Sequence, residues 1–248
     1  MGLVIYADFG SAACSLASGR ADALGVAGVE VDWRAVEPDP RLPVAGGRLG
    51  GAEREAVARE LGALARLLLP GEELPRSLPA FRPNARGPVA AYAEAYGAGV
   101  AEDVRRLLFS AYWGQGLDIG SPETLRRLLA GAMLRGHSTS VPLSEFGLAV
   151  SPSRGPITMG AHRRIRSWAE DWRGLRVAPL PVLVVDGALP VAGETALRRL
   201  EKEIERVDAG LADPLPDPGR YPTMDDPPSL PWVSATGGPW RHSWMATT

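Results

Sequence analysis

The chain has 248 residues with 27 basic and 29 acidic side chains, a net charge of −2. It is long enough to bury a substantial core, and it has no charge excess to draw it to nucleic acid or an anionic membrane surface. No stretch approaches the roughly 18 uncharged apolar residues of a membrane span, and the single cysteine, Cys14, excludes an internal disulfide framework.

The N-terminal apolar run Leu3 to Phe9 reads as a buried strand, Cys14 to Val26 as a helix, and Val29 to Val36 as a second strand in which Val29, Val31 and Trp33 alternate. Asp8 interrupts the first run too early for a secretion signal, so it reads as a core strand and the protein as cytoplasmic. Pro38 to Gly51 carries Pro38, Pro40 and Pro43 with Gly46, Gly47, Gly50 and Gly51, and reads as a mobile loop. Its glycines lack the following Lys-Ser/Thr of a phosphate cradle.

From Ala52 to Trp172 the period is helical, over Glu53–Leu69, Gly87–Gly97, Ala101–Trp113, Pro122–Leu134 and Ala161–Trp172. Ser121-Pro122 supplies a start signal, an N-cap with proline at the first helical position. The strand period returns in Leu183 to Gly193, two short apolar runs about an Asp186-Gly187 turn, and Glu194 to Val207 closes as a helix. The proline-rich stretch from Ala209 to Thr248 cannot continue regular structure, and Trp232, Trp240 and Trp244 favour its wrapping the domain.

A strand ending near Asp8 and a helix starting near Cys14 place Ser11 and Cys14 at a helix N-terminus, where backbone N–H groups and the macrodipole favour a thiolate or another anion. The spacing is that of a dithiol motif with oxygen in place of the first sulfur. Each residue also has a plain structural reading: Cys14 as a small buried side chain, Ser11 as an N-cap. His137, His162 and His242 have no cysteine or carboxylate at ligand spacing, so no metal is expected, and no Gly-x-Ser-x-Gly elbow supports a hydrolase. Tyr6, Tyr112, Trp113 and Trp168 are candidates to line an aromatic pocket, with core packing as the ordinary alternative.

The order βαβ, helical block, ββα resembles the thioredoxin fold of the DsbA superfamily, in the branch of FrnE-like oxidoreductases and 2-hydroxychromene-2-carboxylate isomerases. The likeness runs from about Leu3 to Val207. It is carried by Asp8-Phe9-Gly10-Ser11-Ala12-Ala13-Cys14, by the segment from Leu107 to Pro122, and by Leu180-Pro181-Val182-Leu183-Val184-Val185-Asp186-Gly187. It implies an α/β thioredoxin-like domain from 1–50 and 175–208, an all-helical insertion over 51–174, and a tail over 209–248.

The resemblance puts Ser11 where the superfamily has its nucleophilic cysteine and Cys14 at the resolving position. A serine with no adjacent base cannot attack a disulfide, so ordinary disulfide exchange is not expected. The isomerase branch and the kappa-class glutathione transferases carry a serine there that activates a bound thiol. The resemblance thus implies catalytic roles for Ser11 and Cys14, glutathione or another low-molecular-weight thiol as cofactor, and a homodimer. It implies a cis bond at Leu180-Pro181, which flanks the thiol or substrate, and a substrate-binding role for Asn84.

Three functions stay open. One is a thiol-dependent oxidoreductase or isomerase acting on a small aromatic, polyketide-like molecule. Another is a strictly glutathione-dependent isomerase or transferase. The third is a redox-inactive binding or scaffold protein.

Overall fold

The computed structural model describes residues 2–75, 78–136 and 158–211. Residues 1–211 form one unit; the proline-rich tail with its three tryptophans, together with His137 and His242, lies outside the described residues.

Strand β1 (Leu3–Ala7) is central because four of its five side chains are buried, the pattern of a strand covered on both faces. It runs parallel to β2 (Val31–Ala35), with Leu3 opposite Val31 and Ala7 opposite Ala35. The crossover between them is helix α1 (Ala12–Val26). On its other edge β1 pairs antiparallel with β5 (Val182–Val185), which pairs in turn with β6 (Val191–Ala192), giving the order β2-β1-β5-β6. Gly187, at a φ of 74°, makes the turn between these last strands. Helix α7 (Gly193–Leu211) follows and packs on α1.

Between the two halves come β3 (Gly47–Arg48), α2 (Gly51–Leu64) with a 3-10 turn at Ala65–Leu67, β4 (Phe81–Arg82), α3 (Arg86–Ala98), α4 (Ala101–Phe109), α5 (Pro122–Leu134) and α6 (Met159–Leu175). The expected mobile loop at 38–51 contains an element that turn chemistry alone does not reveal, because β3 pairs antiparallel with β4. Gly46 makes this possible: its φ is 70°, and a Cβ there would meet the Arg82 carbonyl oxygen at 2.5 Å.

Helix 101–113 is shorter than its periodicity predicts. It ends as α-helix at Phe109 and continues as a π-helical turn over Ser110–Gly114. Ala111, Tyr112 and Trp113 are all buried; three successive residues on a regular helix would spread over about 200°. The wider turn suits a segment whose neighbours enclose it on several sides.

The core joins the helical block to the sheet. Phe109 stacks against Phe9 at 5.0 Å and Trp33 at 5.8 Å between ring centres, and Phe9 meets Tyr92 at 5.8 Å. Such aromatic pairs contribute about 1 kcal/mol each beyond the area they bury. Two donors complete the seam: Trp113 Nε1 donates to the Phe9 carbonyl (3.1 Å) and the Tyr112 hydroxyl to that of Phe81 (2.9 Å). The segment 107–122 therefore holds the turn that precedes α1.

Arg20 is, with Arg105, one of two buried cations among the described residues. Its side chain is 0% exposed, and it donates to both Glu72 carboxylate oxygens (2.9 Å each) and to the carbonyls of Leu197 (2.7 Å) and Leu67. One guanidinium thus ties α1 to α7 and to the segment after α2. Among the described residues, no helix is long and apolar enough to cross a membrane.

Candidate active site

The turn between β1 and α1 is built on Ser11. Its backbone is extended (φ −100°, ψ 129°), and its hydroxyl oxygen accepts the Cys14 N–H at 3.3 Å, so it is the N-cap of α1. Its one proton has the Cys14 sulfur within side-chain hydrogen-bond reach, and a ligand's acceptor would compete with that sulfur for it. The Glu60 carboxylate of α2 lies near the same helix end, where the Ala13 N–H acts to lower its pKa. Burial raises Glu60 above the usual carboxylate range, against the lowering effect of that N–H.

Cys14 lies on the core side of the turn, beneath Ser11. It is 0% exposed, and its sulfur accepts the Asp8 N–H at 3.5 Å. Burial pushes its thiol up from 9.0 to about 12, outweighing the Ser11 hydroxyl and the Asp8 N–H, which pull it down. A thiol that neither ionises nor meets solvent is a packing group.

Asp8 follows β1 directly and is 9% exposed. Burial pushes it up from 3.8 to about 6, opposed by hydrogen bonds from the Gly10 and Phe9 N–H groups and by the Arg82 charge. Gly10 belongs to the same arrangement, since a Cβ there would stand 3.1 Å from an Asp8 carboxylate oxygen.

Ser11 opens into a cleft of about 640 Å³ whose polar wall is Asp8, Ser11, Glu60 and Glu194 and whose apolar wall includes Leu64, Leu67, Trp172, Pro179 and Leu180. The Leu180–Pro181 bond is cis, as expected, and Ala178–Pro179 is cis as well. The Pro181 carbonyl accepts the Gly193 N–H at 2.8 Å, which fastens this segment to the start of α7. A somewhat larger hollow, about 720 Å³, lies along α1 and α7 and is lined by Ala12 and Ser15 but not by Ser11. The cleft is the better candidate because it gathers the cap hydroxyl and the cis-proline segment.

Of the residues singled out from sequence, the structure brings Ser11 and Leu180 together at the cleft, with Pro181 buried behind them. Cys14 is turned into the core. Asn84 is 1% exposed and does not line the cleft. Its amide donates to the carbonyls of Leu42 (2.8 Å) and Pro43 (3.1 Å), and its oxygen accepts the Arg86 N–H (3.0 Å), so its polar atoms tie two loops together.

The aromatic candidates divide among three places. Tyr112 and Trp113 serve the seam under the active-site turn; Trp168 stacks on Tyr92 and Tyr96; Tyr6 receives a hydrogen bond from Arg34. Asp8 and Glu60 are cleft-lining carboxyl groups that sequence reading did not single out. Asp8 carried a signal, an acid closing an apolar strand just before the active-site turn; Glu60, on an exposed charged helix, carried none.

No protein-family model matches the chain, and no curated protein matches it. Solved structures do. A probable DsbA oxidoreductase of Streptomyces coelicolor superposes with a TM-score of 0.62 at 18% identity, over 87% of this chain and 92% of that one. The cytosolic disulfide reductase DsbM of Pseudomonas aeruginosa gives 0.60 at 18% identity, over 85% and 98%. A 2-hydroxychromene-2-carboxylate isomerase gives 0.58 at 19% identity, over 86% and 98%. The chain has the DsbA-like thioredoxin fold, an α/β architecture with helices between its two halves.

Proposed function

We propose that the protein is a thiol-dependent oxidoreductase or isomerase acting on a small molecule, in which a low-molecular-weight thiol from solution supplies the sulfur. The carrying observation is the division of labour at the turn: Ser11 stands in the cleft with a hydroxyl proton to donate, while Cys14, the chain's only sulfur nucleophile, is fully buried. Disulfide exchange by the protein's own thiol has no reachable thiolate.

The residues present suit a bound thiol. Ser11 would donate to its sulfur, and the N-terminal end of α1 would favour the thiolate form against the opposing charge of the cleft carboxylates. Leu180 would flank it, while Leu64, Leu67 and Trp172 offer apolar surface to an aromatic, polyketide-like substrate. The thiol would supply a nucleophilic sulfur; the protein supplies position and exclusion of water. Two similar structures fit this reading, an isomerase and a DsbM structure with GSH. A cytoplasmic location, where such thiols are held reduced, belongs to the same proposal.

Calorimetric titration with reduced thiols tests it. Binding in the micromolar to low millimolar range, weakened by Ser11→Ala, is expected. No heat from any thiol up to millimolar concentration would overturn the reading.

A further inference from the structure

Of the three carboxylates that line the cleft, Asp8 is unlike the other two. Glu194 is paired with Arg198 at 2.8 Å, and Glu60 is exposed, so solvent and salt screen both. Asp8 is 9% exposed. Among the described residues, no side chain donates a hydrogen bond to its carboxyl or forms an ion pair with it.

Gly10 leaves that carboxyl open. A Cβ at position 10 would stand 3.1 Å from one carboxylate oxygen and 3.8 and 3.9 Å from the other two atoms of the group, its nearest contacts beyond the adjoining residues. The Ser11 N–H donates to the Asp8 carbonyl at 3.3 Å, so Asp8, Gly10 and Ser11 share one tight turn, and Asp8 and Ser11 line the same cleft. A thiol bound there must lose a proton before its sulfur is a nucleophile. The Ser11 hydroxyl can donate to the sulfur but is no base near neutrality.

We propose that Asp8 is the proton acceptor of this site, its carboxylate taking the S–H proton of the thiol that enters beside Ser11. The S–H bond breaks with its electron pair left on sulfur, an O–H bond forms on the Asp8 carboxyl, and the negative charge passes from carboxyl to sulfur. The net charge of the cleft is unchanged, so the thiolate forms beside a neutral acid and not against a second buried anion. The proposal rests on the thiol-binding reading above and gives it a base.

The proton affinities of the two groups are close. Burial pushes Asp8 up to about 6, and a thiol held at a helix N-terminus falls to roughly 3.5–7.5. No neighbour competes for the proton: burial holds Cys14 at about 12, and it raises the Tyr112 hydroxyl, which donates to the Phe81 carbonyl at 2.9 Å. Arg82 and Glu37 act on Asp8 with opposite signs.

The experiment counts protons. Glutathione and N-acetylcysteamine are titrated into the full chain at pH 7 in buffers of different ionisation enthalpy, with the thiolate followed by its ultraviolet absorbance. The parent should form thiolate while releasing no more than about 0.2 proton per thiolate, and Asp8→Asn should release about one. In the parent alone, the infrared difference spectrum should gain the carbonyl stretch of one protonated carboxyl as thiol binds. A whole proton released per thiolate in the parent, no such infrared band, or binding without thiolate overturns the assignment and leaves the thiol-binding reading standing. Failure of both thiols to bind the parent up to millimolar concentration overturns the reading itself.

Discussion

Cys14 offers a sharp quantitative test, because its burial makes a prediction far from that for an ordinary cysteine. The structure moves its thiol from 9.0 to about 12. At pH 8 the thiolate fraction falls from about one in ten to about one in ten thousand, a loss of ~10³ in the reactive species before access is considered. The sulfur is also 0% exposed, so reaction must await opening of the β1–α1 turn, which is pinned by Trp113, by Phe9 and by the Ser11 cap. Ellman's reagent added to native protein at pH 8 should therefore react at least about 10³-fold more slowly than with a small free thiol. In guanidinium chloride one thiol per chain should react at the ordinary rate. Native Cys14 reacting within about tenfold of the free rate would refute the burial argument and return Cys14 to the list of candidate nucleophiles.

Other consequences follow from buried charge. Asp8 has a folded-state pKa near 6 against 3.8 when free, so the folded protein holds its proton more tightly than the unfolded chain does. Its cost is absent below about pH 4 and grows to about 3 kcal/mol once the pH passes 6. Asp8→Asn should therefore lose this slope, gaining about 2 to 3 kcal/mol over the parent at pH 8 relative to pH 4 in urea melts; parallel pH profiles would count against it. Arg20→Ala removes a fully buried guanidinium and strands Glu72 and the carbonyls of Leu67 and Leu197. A loss of about 3 kcal/mol is expected, and a melting temperature within a degree of the parent's would contradict it.

The sheet and its crossover are legible in the sequence because their signals are local. Leu3–Ala7 is an apolar run with no room for another reading, and the Asp186-Gly187 turn announces its hairpin. Ser11 is legible for the same reason, since an N-cap depends on its own few residues. What was not legible depends on distant partners. Ser110–Gly114 departs from α-helix because Phe9 and Phe81 accept from it. Gly46 marks a β-pair only once Arg82 is placed beside it. The Cys14 sulfur points inward, a matter of helix rotation that periodicity resolves only coarsely. Glu60 lies near the start of α1 on an otherwise solvated helix, and nothing within its own segment distinguishes it from its charged neighbours.

The central claim is that Ser11, and not Cys14, meets the reacting sulfur. The direct measurement is calorimetric affinity for a low-molecular-weight thiol in three proteins: the parent, Ser11→Ala and Cys14→Ala, each first shown to be folded by circular dichroism. Loss of the Ser11 hydroxyl should weaken binding about tenfold or more, beyond the roughly 1 kcal/mol of stability lost with the cap. Loss of the Cys14 sulfur should leave the affinity within about twofold, since that atom is 0% exposed. Unchanged binding in Ser11→Ala together with lost binding in Cys14→Ala would contradict the account.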